Sequence, residues 1–63
     1  MRDRSQAIQR AQQALDAQRK TFVGDDETML WQLIADLLEW CDARHIDFDL
    51  QLDTAREHLL SEA

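Results

Sequence analysis

Residues 26–43 read DETMLWQLIADLLEWCDA, and this stretch decides the fold. Placed on a helix at 100° per residue, its apolar side chains occupy a continuous arc of roughly 200°. The arc consists of Met29, Leu30, Trp31, Leu33, Ile34, Leu37, Leu38, Trp40 and Cys41. A surface helix has an apolar stripe nearer to about 100° wide. The stretch therefore predicts a central helix with more apolar surface than one neighbouring helix covers.

Helical spacing continues on both sides of this stretch. The upstream apolar positions are Ile8, Ala11, Leu15 and Phe22, and the downstream ones are Phe48, Leu52, Ala55 and Leu59. There is one Gly and no Pro, so few residues interrupt helices. The connections are short, which favours antiparallel neighbours. We predict an all-α fold: an antiparallel three-helix bundle with helices at about 3–21, 26–43 and 48–61, forming a single domain over residues 1–63.

Capping residues set the expected helix ends. We expect Gly24 to be the C′ residue of the first helix, and Asp25 or Asp26 to cap the second. Asp47 is the expected N-cap of the third helix. His45 occupies the position after the second helix where Gly or Asn is common, and His is among the residues that tolerate the left-handed conformation.

The composition limits how this chain is stabilised and in which compartment we expect it. A 63-residue chain with one Cys forms no internal disulfide, and its core is marginal without tight packing or self-association. The N-terminal segment contains no secretory apolar run, and the most apolar stretch is too short to span a bilayer. A lone Cys in an apolar pattern fits a reducing compartment. These features predict a cytoplasmic protein without membrane contact.

Charge is distributed unevenly along the chain. Residues 1–23 hold five basic and two acidic residues, for a net +3, whereas residues 24–63 hold two basic and eleven acidic residues, for a net −9. Direct nucleic-acid binding is disfavoured, because attraction to phosphates supplies most non-specific affinity and this chain is acidic overall. Partners are expected among proteins, including a second copy of the chain.

The wide apolar arc has two interpretations. In the first, the outer helices pack on different flanks of the central helix and cover the arc completely. In the second, an edge containing Trp31 and Leu38 stays uncovered, which suits a homodimer or a docked protein because Trp is enriched at interface hot spots. The predicted interface residues are Met29, Trp31, Ile34, Leu38 and Trp40.

The polar residues give little support for catalysis. Asp36 and Glu39 lie three residues apart, as in half of a divalent-cation site, and such a site needs facing acids such as Asp47, Asp49 or Asp53. Capping explains Asp47 and Asp49 better. Cys41 and His45 are four residues apart, but a thiol in an apolar environment stays protonated and unreactive. We expect no catalytic residues, no metal and no cofactor, and therefore no enzyme.

Two alternative functions remain open at this stage. The acidic residues Asp36, Glu39, Asp42, Asp49 and Asp53 would form the surface of a nucleic-acid mimic that blocks the basic groove of another protein. The second alternative is a subunit of a metal-dependent nucleotide hydrolase, using Asp36 and Glu39 with acids from the third helix.

The segments 36–42 (DLLEWCD), 46–49 (IDFD) and 55–58 (AREH) resemble a group of short acidic hypothetical proteins from bacterial plasmids, prophages and integrons. The resemblance covers roughly residues 25–60. That group has no established activity, so the resemblance implies a small accessory protein that acts by binding, such as an inhibitor or regulator, and it assigns no catalytic residue. Its members usually have Gly where this chain has His45.

Overall fold

The computed structural model describes the backbone of residues 3–62 and the side chains of residues 3–61. Three helices occur in this range: α1 (Arg4–Arg19), α2 (Asp26–Ala43) and α3 (Phe48–Glu62). No strand occurs among the described residues. The predicted all-α three-helix fold is confirmed, and residues 1, 2 and 63 of the predicted domain lie outside the described range.

An aspartate caps the N-terminus of each helix. The Asp3 carboxylate accepts hydrogen bonds from the backbone N–H groups of Ser5 and Gln6, at 2.9 and 3.3 Å. Asp25 accepts from the N–H of Thr28 at 2.9 Å. Asp47 accepts from the N–H of Leu50 at 3.0 Å. These bonds satisfy donors that the first turn of a helix leaves unpaired, and they fix where each helix begins.

The prediction that Gly24 is the C′ residue of α1 is wrong. α1 ends at Arg19, and Lys20 is its C-cap. Gly24 instead directly precedes Asp25, the N-cap of α2. A Cβ atom at position 24 would lie 2.8 Å from Thr28 Cγ2 and 2.9 Å from Thr28 Cβ. Glycine is therefore needed here for the close approach of the connection to the first turn of α2.

The connection from α2 to α3 is a Schellman motif with histidine at C′. The N–H of Ile46 donates to the carbonyl of Cys41 at 2.8 Å, and the N–H of His45 donates to the carbonyl of Asp42 at 3.2 Å. His45 has φ 58°, in the left-handed region, as expected from its position. The motif satisfies two carbonyls at the end of α2 and turns the chain sharply into α3.

α1 packs against one side of α2. Gln18 Nε2 donates to Asp36 Oδ2 across the two helices at 3.1 Å, and Arg19 forms an ion pair with Asp26. Met29 is seven residues before Asp36 and so lies on the same side of α2. Met29 is fully buried, which contributes about 1.5–3 kcal/mol.

α2 also contains a buried polar atom without a partner. Gln32 Oε1 is buried and has no hydrogen-bond partner in the described part of the chain. Most buried polar atoms in proteins are hydrogen-bonded, because leaving one unpaired costs about 1–3 kcal/mol.

α3 contacts α2 only sparsely, and α1 and α3 make no close contact with each other. Ile46 and Phe48 are half-buried near the turn, beside the buried Cys41. From residue 49 to residue 61 every side chain is exposed. The predicted apolar stripe of α3 is therefore partly buried at Phe48 alone, while Leu52, Ala55 and Leu59 remain exposed.

The chain is more open than its size requires. Its accessible surface is 5527 Å², whereas a folded monomer of 7.4 kDa exposes about 4,200 Å². Its radius of gyration is 13.2 Å, against about 11 Å for a compact chain of this length. The structure thus presents about 1,300 Å² of surface beyond that of an ordinary monomer.

Among the described residues, no helix combines the length and hydropathy that crossing a membrane requires.

Candidate protein-binding site on the central helix

The central helix carries an exposed apolar surface, which we call the α2 apolar face. It consists of Leu30, Trp31, Ile34, Leu37 and Leu38. Trp31 is 58% exposed and Leu38 is 46% exposed. Soluble monomers seldom leave a contiguous apolar patch of this kind uncovered. The predicted uncovered edge at Trp31 and Leu38 is present in the structure, so the outer helices do not cover the whole arc.

Helix geometry explains why these five side chains share one surface. Leu30, Ile34 and Leu37 are separated by four and three residues, and Trp31, Ile34 and Leu38 by three and four. These are the spacings that align side chains along one side of a helix. They are also the spacings by which two helices interlock their side chains. The five side chains therefore form one apolar surface along α2.

Two residues of the predicted interface do not belong to this face. Met29 is fully buried inside the chain, so it has no surface to offer a partner. Trp40 is nine residues after Trp31, which at 100° per residue places it on the opposite side of α2, about 180° away. The prediction grouped them with the face because all belong to one wide arc. In the structure Met29 is buried at one edge of this arc, whereas Trp31 at the other edge is exposed.

Trp40 has a separate neighbour. The Arg44 guanidinium lies over its indole ring, 4.7 Å from the ring centroid. At an exposed site this cation–π contact contributes about 0.5–1 kcal/mol. Trp40 is 50% exposed, close to the value for Trp31, although the two rings lie on opposite sides of the same helix. Trp31 and Trp40 are therefore two similarly exposed side chains whose reactivity can be compared to tell which side of α2 becomes covered.

The predicted acidic surface is divided between two helices. The residues concerned are Asp36, Glu39 and Asp42 on α2 and Asp49 and Asp53 on α3, all exposed. Asp36 accepts its hydrogen bond from Gln18 of α1. Within residues 3–62 the structure contains no group of three or more His, Cys, Asp or Glu side chains placed to hold a metal ion. The facing acids that a metal-dependent hydrolase requires are not brought together there.

Cys41 and His45, the other pair considered for chemistry, serve the turn after α2. Cys41 is buried, as its position in the apolar arc predicts, and its carbonyl accepts from Ile46. His45 supplies the left-handed backbone of the Schellman motif. A nucleophilic thiolate needs a polar, accessible environment, and the buried Cys41 does not have one.

An open groove lies along α3. Its lining residues are Gln51, Thr54, Ala55, His58 and Leu59. The Thr54 hydroxyl donates to the carbonyl of Leu50 at 2.9 Å, so this donor already has a partner in the helix. A single helix contributes all the lining residues, so the groove lacks the converging walls of a small-molecule site.

Acidic residues are clustered at the N-terminus of α2. Asp25, Asp26 and Glu27 lie at its N-terminus, where the helix dipole favours negative charge, and Arg44 lies at its C-terminus, where it favours positive charge. The hydrogen bond from the backbone of Thr28, and then the one from its side chain, lower the pKa of Asp25 below its ordinary value of 3.8.

Comparison of the chain with protein-family models, with curated proteins and with solved structures gives no significant match.

Proposed function

We propose that this chain is a non-catalytic protein-interaction module that binds protein through the α2 apolar face. The observation that carries the proposal is the exposure of Trp31 and Leu38, at 58% and 46%, among further exposed apolar side chains on one side of α2. Covering apolar surface contributes about 25 cal/mol per Å², and Trp is the residue most enriched at binding hot spots.

The openness of the fold supports the same proposal. Only Met29 and Cys41 are buried apolar residues in the described part of the chain, so the isolated chain gains little from its own core. Small helical proteins compensate for a weak core by tight packing, disulfides, metals or association. A chain with one Cys has no internal disulfide, so association is the route that its surface favours.

Oxidation of the two tryptophans by hydroxyl radicals tests the proposal. Trp31 and Trp40 are similarly exposed in the isolated chain, so both should react at comparable rates when nothing is bound. A protein on the α2 apolar face should slow the oxidation of Trp31 several-fold while Trp40 stays reactive. The measurement is made by mass spectrometry on the purified chain over a concentration series, and on the chain in cell extract.

A matched pair of variants completes this experiment. Leu38→Glu places a charge in the face and should abolish the protection of Trp31. Leu60→Glu makes the same chemical change on α3, where Leu60 is 77% exposed, and should leave the protection intact. Equal oxidation of Trp31 and Trp40 under every condition would overturn the proposal.

A further inference from the structure

We infer that the occupant of the α2 apolar face is a basic amphipathic helix of another protein, whose apolar side contacts Trp31 and Leu38 and whose Lys or Arg side chains pair with the acids that border the face. The inference rests on the proposed function, because it names the chemistry of the partner at the same face. Three observations carry it: the positions of the acids around the face, their lack of ion pairs within the described residues, and the unfavourable position of Asp42 in α2.

Acidic residues lie at both ends of the α2 apolar face and along one of its edges. Glu27 is four residues before Trp31, and Asp42 is four residues after Leu38, so both acids continue the row that contains these two apolar side chains. Glu39, three residues before Asp42, lies on the adjoining polar side, and all three acids are exposed. The helix as a whole contains five acidic residues and no basic one. The charge that α2 places around the face is therefore entirely negative.

These border acids have no cationic partner within the described residues. The one ion pair there joins Arg19 to Asp26, on the connection between α1 and α2. Arg44 is the next basic residue along the chain, but its guanidinium lies over the Trp40 ring. That ring is about 180° around the helix from Trp31. The negative charge at the border is therefore left for a partner to neutralise.

The C-terminal end of α2 is an unfavourable place for a negative charge. Asp42 lies in the last turn of the helix, beside the carbonyl groups that give this end its partial negative charge. Glu39 is three residues earlier, and like charges at this spacing repel each other. Helix stability explains Asp25 and Asp26 at the other end, but it does not explain these two acids. Residues that break a local rule without compensation inside the fold are typical of functional sites.

The partner that fits this surface combines an apolar side with positive charges. Glu27 and Asp42 are 15 residues apart, which is about 22 Å along the helix axis. A partner helix of about four turns spans this distance, with apolar side chains three and four residues apart and Lys or Arg beside them. Nucleic acid and anionic membrane surfaces are repelled by the same acids. A second copy brings its own acids to the face, so its association should strengthen as salt screens their repulsion.

Two model peptides of about 15 residues test the inference. Both carry the same leucines at helical spacing, and they differ in having lysine or glutamate at the flanking positions. Fluorescence anisotropy of the labelled peptide measures binding, at a concentration of the chain where light scattering gives the mass of a monomer. We expect the lysine peptide to bind about tenfold more tightly than the glutamate peptide, and to lose about tenfold in affinity between about 50 and about 500 mM NaCl. It should slow the radical oxidation of Trp31 and leave that of Trp40 unchanged.

A matched pair of double variants locates the charges that bind the peptide. Glu27→Gln with Asp42→Asn neutralises the two ends of the face and should weaken binding of the lysine peptide about fivefold. Asp53→Asn with Glu57→Gln makes the same change of net charge at exposed positions of α3 and should weaken binding less than about twofold. Circular dichroism of each variant verifies its helix content. Equal weakening by the two double variants would overturn the border of the α2 apolar face as the place where charge is recognised.

The inference and the proposed function fail in different ways. Equal affinity for the two peptides, binding that strengthens with salt, or binding without protection of Trp31 would overturn the basic partner. Protection of Trp31 in cell extract that survives about 500 mM NaCl and the double variant of Glu27 and Asp42 would also overturn it, while supporting the proposed function. Equal oxidation of Trp31 and Trp40 under every condition would overturn both.

Discussion

Trp31 and Trp40 lie on opposite sides of α2, nine residues apart, with nearly equal exposure. Trp40 stacks against Arg44 of its own chain, whereas Trp31 lies among exposed apolar side chains. Trp40 therefore takes part in a contact within the chain, whereas Trp31 belongs to the surface that we propose binds a partner. The two tryptophans also supply a matched pair of positions for mutation.

The first prediction compares the same substitution at these two positions. Trp31→Glu should weaken self-association by about 2 kcal/mol or more, roughly 30-fold, because a hot-spot Trp is replaced by a charge in an apolar interface. Trp40→Glu should weaken it less than about threefold, since it removes only the Arg44 contact. Sedimentation equilibrium over a concentration series measures both. Equal effects of the two substitutions would contradict the assignment of the face to the Trp31 side.

A second prediction concerns the histidine in the left-handed turn. His45→Gly should stabilise the fold by about 0.5–1 kcal/mol, because relief of left-handed strain outweighs the added flexibility of glycine in the unfolded chain. His45→Val should destabilise it, since β-branched residues adopt this conformation least well. Thermal unfolding at one fixed protein concentration measures both changes. A lower melting temperature for His45→Gly would show that the His45 side chain makes a contact worth more than the strain.

The buried oxygen of the Gln32 side chain leads to a third prediction. Gln32→Met keeps a similar length and removes the buried oxygen that lacks a partner, so it should stabilise the fold by about 1 kcal/mol. Gln51→Met makes the same change at an exposed position of α3 and should have little effect. Urea unfolding measures both free energies. Destabilisation by Gln32→Met would indicate that the amide forms a necessary bond, for example through water.

The fourth prediction is a pH dependence at the start of α2. The hydrogen bonds from Thr28 hold the pKa of Asp25 in the folded chain below its ordinary 3.8. The ionised cap therefore stabilises the fold above about pH 4, and this stabilisation is lost as the pH falls through the lowered pKa. Asp25→Asn keeps a capping oxygen but does not titrate. Its melting temperature should fall less than that of the natural sequence between pH 6 and acid, and equal falls would contradict this.

Capping and periodicity predicted most of the fold. The helices at about 3–21, 26–43 and 48–61 correspond to Arg4–Arg19, Asp26–Ala43 and Phe48–Glu62, because aspartate caps and apolar spacing are local signals. The role of Gly24 was predicted wrongly, because glycine is common both at the C′ position of a helix and where the backbone passes close to a side chain such as Thr28. Only the structure distinguishes these two uses.

The spacing of apolar residues could not predict which sides of a helix are covered by another helix. Periodicity indicates that Leu52, Ala55 and Leu59 share a side of α3, but it does not indicate whether another helix covers that side. The same limit explains why Met29 and Trp40 were grouped with Trp31. The hydrogen bond from Gln18 to Asp36 and the burial of the Gln32 Oε1 atom were not predicted, because polar residues carry no periodic signal for packing.

The mass of the natural chain in solution tests the central claim, that the α2 apolar face binds protein, most directly. Light scattering on a size-exclusion column, run over a range of protein concentrations, should give twice 7.4 kDa at the higher concentrations, because a second copy is the protein available to the α2 apolar face in a purified sample. A mass of 7.4 kDa at every concentration, with Trp31 and Trp40 oxidised equally in the purified chain and in cell extract, would contradict it.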